Sequence, residues 1–297
     1  MQDLIKKVKS FVGNTEMSSK LAIFANSCFW NQKQTSVIIK EVLRALEQFA
    51  PLPLQEDYDN AGLQVGLTET DASGALLCLD VTEEVIDEAV GLGCNLIVSH
   101  HPLIFRGLKQ VSDANMVQRC VVKAVKNNVC IVSMHTNLDN AKDGVNFKIA
   151  EKMQLHDIRF LAPKNAMATE GGSGVVGILP QPMRAADFVA MLKDTFDVAC
   201  VQANQLLRRD IQCVALCGGA GAFLLDDAIA CGADAFVTGE MHYHDFFGHD
   251  QEIQVCVIGH YQSEQYTSEI FKSIITEKCE GVRCFVTKLN TNPIIYL

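Results

Sequence analysis

Three short apolar runs, each stopping at side chains with lone pairs to offer, constrain this chain more than any other feature. Asn95-Leu-Ile-Val-Ser99 stops at His100 and His101. Val129-Cys-Ile-Val-Ser-Met134 stops at His135, with Asp139 close behind, and Val255-Cys-Val-Ile258 stops at Gly259, His260 and Glu264. Parallel strands buried on both faces read as short continuous apolar runs. Open α/β sheets bind ligands beyond the carboxyl ends of their strands. Histidine, aspartate and glutamate at three such ends predict a metal cluster.

Ligand chemistry narrows the metal. Imidazole and carboxylate suit Zn, Fe, Mn, Co or Ni, and no cysteine is placed to join them. Neighbours on a regular strand point to opposite faces, so His100 and His101 reach one place only where the strand has ended and Pro102 turns the chain. His260 and Glu264, four apart, share one face of a helix beginning there. Any one of these histidines alone reads as a hydrogen-bonded loop or surface residue; the joint arrangement points to metal. Five ligands exceed the three of a mononuclear catalytic zinc, which favours two divalent ions.

The chain also resembles itself. Residues 87–101 align without a gap on residues 226–240, with Asp87, Ala89, Gly93 and Val98 identical to their counterparts. Both pieces read as the end of a helix, a glycine stop and a buried strand. Each half then predicts the same order. First comes an amphipathic helix (Val37, Ile38, Val42, Leu43 and Leu46; Phe188, Met191 and Leu192). A strand follows (Ala75-Leu-Leu-Cys-Leu79; Val214-Ala-Leu216), then a second helix, capped by Thr82 in the first half. The expected fold is α/β: two related domains with mostly parallel sheets. The expected bounds are an N-terminal extension 1–34, a first domain 35–162, a linker 163–174 and a second domain 175–297. The final segment Cys284-Phe-Val-Thr-Lys288 is a strand that could join either sheet.

Composition excludes some functions. At 297 residues two domains are expected. With 25 basic against 35 acidic residues the net charge is −10, the wrong sign for a nucleic-acid binder. No run approaches the roughly 18 apolar residues that span a bilayer. The 12 cysteines sit mostly within apolar runs and never as Cys-x-x-Cys, which fits reduced thiols in a cytoplasmic protein. Residues 1–34 are mildly basic, and Met17 is an alternative start.

Other candidates lie around the cluster. Gly218-Gly-Ala-Gly221 leads into a helix and reads either as a tight turn or as a phosphate cradle. Asn60, in Asn60-Ala-Gly-Leu63, is a turn residue with a minority reading as a substrate contact. Glu240 occupies in the second half the place of His101 in the first. Glu240, His242 and His244 are therefore candidates for acid–base work or for supporting the ligands, and Glu240, His135 or His244 could shuttle protons. His156 and His249 read as surface residues.

At these positions the chain resembles the Nif-three-like dinuclear-metal proteins, often labelled type-2 GTP cyclohydrolase I homologues. The resemblance runs from about Thr35 to Leu297. It rests on Asp59-Asn-Ala-Gly-Leu63, Ser99-His-His-Pro102, His135-Thr-Asn-Leu-Asp139, Gly218-Gly-Ala-Gly221, Thr238-Gly-Glu240, His242-Tyr-His-Asp245 and Gly259-His-Tyr-Gln-Ser-Glu264. It implies two α/β domains, two metal ions in the cleft between them and a toroidal homohexamer. The family's ligands fall on His100, His101, Asp139, His260 and Glu264. Some relatives carry an inserted domain between the halves, for which the connection here is too short.

The function expected is a dinuclear-metal-dependent hydrolase acting on a small nucleotide-like or phosphorylated substrate. The cyclohydrolase reaction would open the guanine imidazole ring with loss of formate. The alternative is a metal-loaded oligomeric scaffold or metal-handling protein without turnover, which needs the ligands but not the proton shuttles.

Overall fold

In the computed structural model, which describes residues 36–164 and 170–295, the first half comprises α1 (Ile39–Phe49), β1 (Gly62–Val65), β2 (Ala75–Cys78), α2 (Glu83–Gly91), β3 (Leu96–Ser99), α3 (Met116–Lys126), β4 (Cys130–Ser133), α4 (Thr136–Asp139) and α5 (Val145–Lys152). There follow β5 (His156–Pro163), β6 (Gly172–Met183), α6 (Ala185–Phe196), β7 (Gln202–Ala203), β8 (Ile211–Cys217), α7 (Leu225–Ala230), β9 (Ala235–Thr238), β10 (Gln254–Val257), α8 (His260–Glu264), α9 (Thr267–Lys278) and β11 (Cys284–Val286). The extension 1–34 lies outside the described residues. Among them, no helix is long and apolar enough to cross a membrane.

Helix starts follow local chemistry. The Thr82 hydroxyl accepts from the Val85 N–H at 3.3 Å, and the Asn115 side chain accepts from the Gln118 N–H at 3.0 Å. Each side chain thereby satisfies an amide that has no partner within its helix. The repeat is visible in the stops as well: Gly93 and Gly232, aligned in the two halves, both adopt positive φ (+70° and +77°). Glycine takes that left-handed turn without steric cost.

Alternation within the apolar runs explains why they are apolar throughout. Ala75 and Leu77 of β2 and Leu96 and Val98 of β3 face one core, whereas Leu76, Cys78 and Ile97 face another. Likewise Val214 and Leu216 of β8 join the first core, and Ala215 and Cys217 join a third. The first core is shared by both sheets and by residues of α1, α5, α6 and α9. The other two seal the outer faces.

The first sheet has the order β1-β4-β3-β2-β11, parallel except for β1. The second has the order β5-β6-β8-β9-β10-β7 and is more mixed: only β8, β9 and β10 run parallel. β11, the final strand, pairs with β2 and so belongs to the first sheet.

One expectation needs correction. The stretch 163–174, read as a linker between halves, joins two antiparallel strands of the second sheet, with Pro163 opposite Gly172. β5, placed by sequence in the first half, therefore lies in the second sheet. The glycines there serve close packing: a Cβ on Gly172 would stand 2.7 Å from the Ala162 carbonyl oxygen.

Candidate metal centre

The parallel ladder delivers the histidines. Past the end of β3, the His100 N–H still donates to the Cys78 carbonyl (3.2 Å) and the His101 N–H to that of Leu79 (3.0 Å). Both side chains are thus held at the carboxyl edge of the sheet. His135 and Asp139 follow β4, the latter closing α4. His260 and Glu264 lie on α8 after β10, with Gly259 at φ +98° making the turn.

Four imidazole rings meet here, and each is tied at Nδ1 to an oxygen. His100 donates to the Met134 carbonyl (2.8 Å), His101 to Asp80 (2.7 Å) and His135 to Asp59 (2.7 Å); His260 lies 3.0 Å from Glu240. A proton fixed on Nδ1 leaves Nε2 as a lone-pair donor. The Nε2 atoms of His101 and His260 stand 3.2 Å apart, each 3.0 Å from Glu264 Oε2. On the other side, His100 Nε2 is 3.7 Å from Glu264 Oε1 and 3.6 Å from Asp139 Oδ1. Glu264 therefore turns one oxygen to each of two donor groups. His135 forms a further group with His100 and His101, one ligand atom of each lying within 4.8 Å of the others.

His100 Nε2 and Asp139 Oδ1 are buried without any hydrogen-bond partner. Such orphaned atoms cost about 1–3 kcal/mol each unless something satisfies them. At 3.6 Å the two atoms do not hydrogen-bond to each other, but a cation between them would satisfy both. Nitrogen and carboxylate donors in this number suit a divalent transition ion, so the residues present fit a metal.

The electrostatics agree. Burial opposes the charged rings of His101 and His260, yet the hydrogen bonds His101 donates to Asp80 and Glu264 lift it to about 10, and Glu264 with Glu240 lifts His260 to about 9. Burial pushes His100 down despite Glu264, and the charges of His101 and His135 add to the shift. Burial and the charge of Glu264 hold Asp139 well above the carboxylate range, while the surrounding histidines overcome burial and hold Glu264 well below it.

The other sequence candidates divide. Glu240 is half-exposed beside the cluster and is engaged with His260. His244 packs on Tyr243 and Phe247, with ring centroids 5.3 and 6.0 Å away. Among the described residues, no hydrogen bond ties it to the cluster. The side-chain amide of Asn60 donates to the Ile104 carbonyl (2.6 Å), a loop tie beside Asp59.

The phosphate-cradle reading of the glycine loop is corrected. The N–H groups of Gly218, Gly219 and Gly221 donate to Asn146, Ser263 and Thr238 at 2.9–3.0 Å, so they are not free for an anion. Glycine is required because a Cβ on Gly219 would stand 2.3 Å from Glu264 Oε1. The loop gives Glu264 room.

Sequence reasoning missed Asp59 and Asp80 as partners of the histidines. Asp80 follows β2 and was open to the same strand-end logic; Asp59 had only its place in the Asp-Asn-Ala-Gly-Leu motif. Beside His260 and Glu240 a cavity of about 600 Å³ opens, lined in part by Phe223, Met241, His242, Asp245 and Ile294.

Residues 37–293 match the family described as Duf34/NIF3 (NGG1p interacting factor 3). The chain is 31% identical over 248 residues to a GTP cyclohydrolase 1 type 2 homolog of Clostridium acetobutylicum, covering 83% of this chain and 91% of that protein. It is 32% identical over 227 residues to one of Clostridium perfringens, covering 76% and 86%. The crystal structure of a Staphylococcus aureus protein superposes with a TM-score of 0.81 at 26% identity, over 88% of this chain and all of that one. A Bacillus cereus protein related to NIF3 gives 0.80 at 24%, over 89% and 100%. The chain belongs to the Duf34/NIF3 family.

Proposed function

We propose that this Duf34/NIF3 chain is a hydrolase dependent on two divalent metal ions, acting on a small nucleotide-like or phosphorylated substrate. The observation that carries the reading is the division of Glu264 between two donor groups. His100, Asp139 and Glu264 Oε1 would hold one ion; His101, His260 and Glu264 Oε2 would hold the other. Ions bound there supply Lewis acidity, lowering the pKa of water and polarising the bond under attack.

The remaining steps belong to the protein. Asp80, Asp59, Glu240 and the Met134 carbonyl keep the four rings oriented. His135 is partly exposed and backed by Asp59, which equips it to accept a proton from water and release it to a leaving group. The cavity beside His260 offers Phe223, Met241 and Ile294 as apolar walls for a ring. The names of the relatives favour a purine nucleotide. The same reading carries a homohexamer in the cytoplasm.

A metal-loaded scaffold is the second reading. It is favoured by the engagement of Glu240 with His260 and by the place of His244 away from the cluster, which thin the supply of free proton shuttles. The two separate in one experiment: metal-loaded wild type and His135→Gln are assayed against nucleotides and phosphoesters. Turnover lost in the variant at unchanged metal content supports the hydrolase. Equal rates in both, at the level of the metal in buffer, reject it.

A further inference from the structure

β11 lies parallel to β2, so both strands leave the sheet at the same carboxyl edge. Beyond β2 the chain reaches Asp80, and beyond β11 it continues as Thr287–Ile295. That segment is pinned to helix α2: the Thr287 hydroxyl bonds to the Glu88 carboxylate, and the Lys288 N–H donates to Glu88 Oε1 at 3.0 Å. Three residues on, the Thr291 hydroxyl donates to Asp80 Oδ2 at 2.8 Å. The other oxygen of that carboxylate, Oδ1, takes the Nδ1–H of His101. The segment then brings Ile294 to the cavity beside His260.

We propose that Thr291 is a positioning residue for the metal centre, holding the Asp80 carboxylate in the plane that orients His101. The inference rests on the metal reading above. A carboxylate with one fixed oxygen can still turn about its terminal torsion, whose energy well is broad; fixing both oxygens removes that freedom. His101 Nε2 must meet the same point as His260 Nε2, from the opposite sheet, so a small rotation of the ring is enough to spoil the convergence. The C-terminal segment thus joins the first-sheet ligands to the cavity at the second-sheet ligands, although no ligand lies on it.

The test is Co(II) binding to the full-length chain, read both as affinity by chelator competition and as the visible d–d spectrum. Partners of metal-bound histidines typically change affinity about 10–100-fold when removed, so Asp80→Ala should fall in that range. Thr291, one bond further out, should give about 3–10-fold as Thr291→Val, with an altered spectrum, and Thr291→Ser should restore both. Thr291→Val in an Asp80→Ala background should add nothing. Wild-type affinity and spectrum in Thr291→Val overturn the proposal, as does a full effect persisting without Asp80 or in Thr291→Ser. If wild type itself takes up no Co(II), the metal reading fails first, and this inference falls with it.

Discussion

His101 and His260 come from different sheets and lie 159 positions apart in sequence, yet their Nε2 atoms approach to 3.2 Å over one oxygen of Glu264. Without a cation, the Glu264 charge holds the two rings together. Glu264→Gln removes that charge from a buried position. Breaking a buried ionic cluster by deleting one partner costs on the order of 3 kcal/mol. Urea denaturation of the metal-free chain should show that loss, and the variant should bind at most one ion; unchanged stability and full loading would contradict the shared role of Glu264.

Metal loading should compete with protons. Metal-free His101 and His260 keep theirs until the pH passes about 10 and about 9, and a metal takes only the deprotonated ring. Both folded-state values are raised, so the protons are held below those pH values and given up above them. Affinity should therefore rise with pH between about 6 and 9. Calorimetry in two buffers of different ionisation enthalpy should count proton release on loading; a pH-independent affinity without release speaks against the account.

Asp59 should stabilise the fold through its charge. Burial opposes that charge, but hydrogen bonds from His135 and Thr136 hold its carboxyl at about 2, below the ordinary 3.8. At about 1.4 kcal/mol per pH unit the difference is worth about 2 kcal/mol. Because the folded value is depressed, this contribution is complete above about pH 4 and is lost as the pH falls through about 2. Asp59→Asn should be less stable than wild type at about pH 7 by roughly that amount, with the gap closing as the carboxyl is protonated. A gap that stays constant with pH would assign it to shape rather than charge.

Gly219→Ala should damage the site without touching a ligand. The new Cβ would fall 2.3 Å from Glu264 Oε1, and the residue sits at φ +59°. That conformation alone costs an alanine about 1 kcal/mol or more, and relieving the clash displaces Glu264. Metal affinity should fall with only a modest drop in melting temperature, whereas wild-type affinity would show that Glu264 adapts freely. His244→Ala serves as the contrasting variant and should leave metal affinity unchanged.

Much of the fold and of the candidate metal centre is legible in the sequence, for a physical reason. Strands buried on both faces must be apolar at every position, so β3 and β10 announce themselves and their ends can be located. The repeat is legible because helix, glycine stop and strand keep one spacing in residues 87–101 and 226–240. The β5–β6 pair is not: its glycines, demanded by close backbone approach at Gly172, look like a linker in sequence. Nor are the partners of the histidines. Asp59 meets His135 across 76 residues and Asp80 meets His101 across 21, and a single carboxylate in a loop carries no local sign of such a contact.

The central claim is that two divalent ions share Glu264. Elemental analysis of the anaerobically purified, reconstituted chain tests it most directly. Two ions per chain in wild type are expected; fewer than one ion per chain at neutral pH, unmoved by reconstitution, would contradict it.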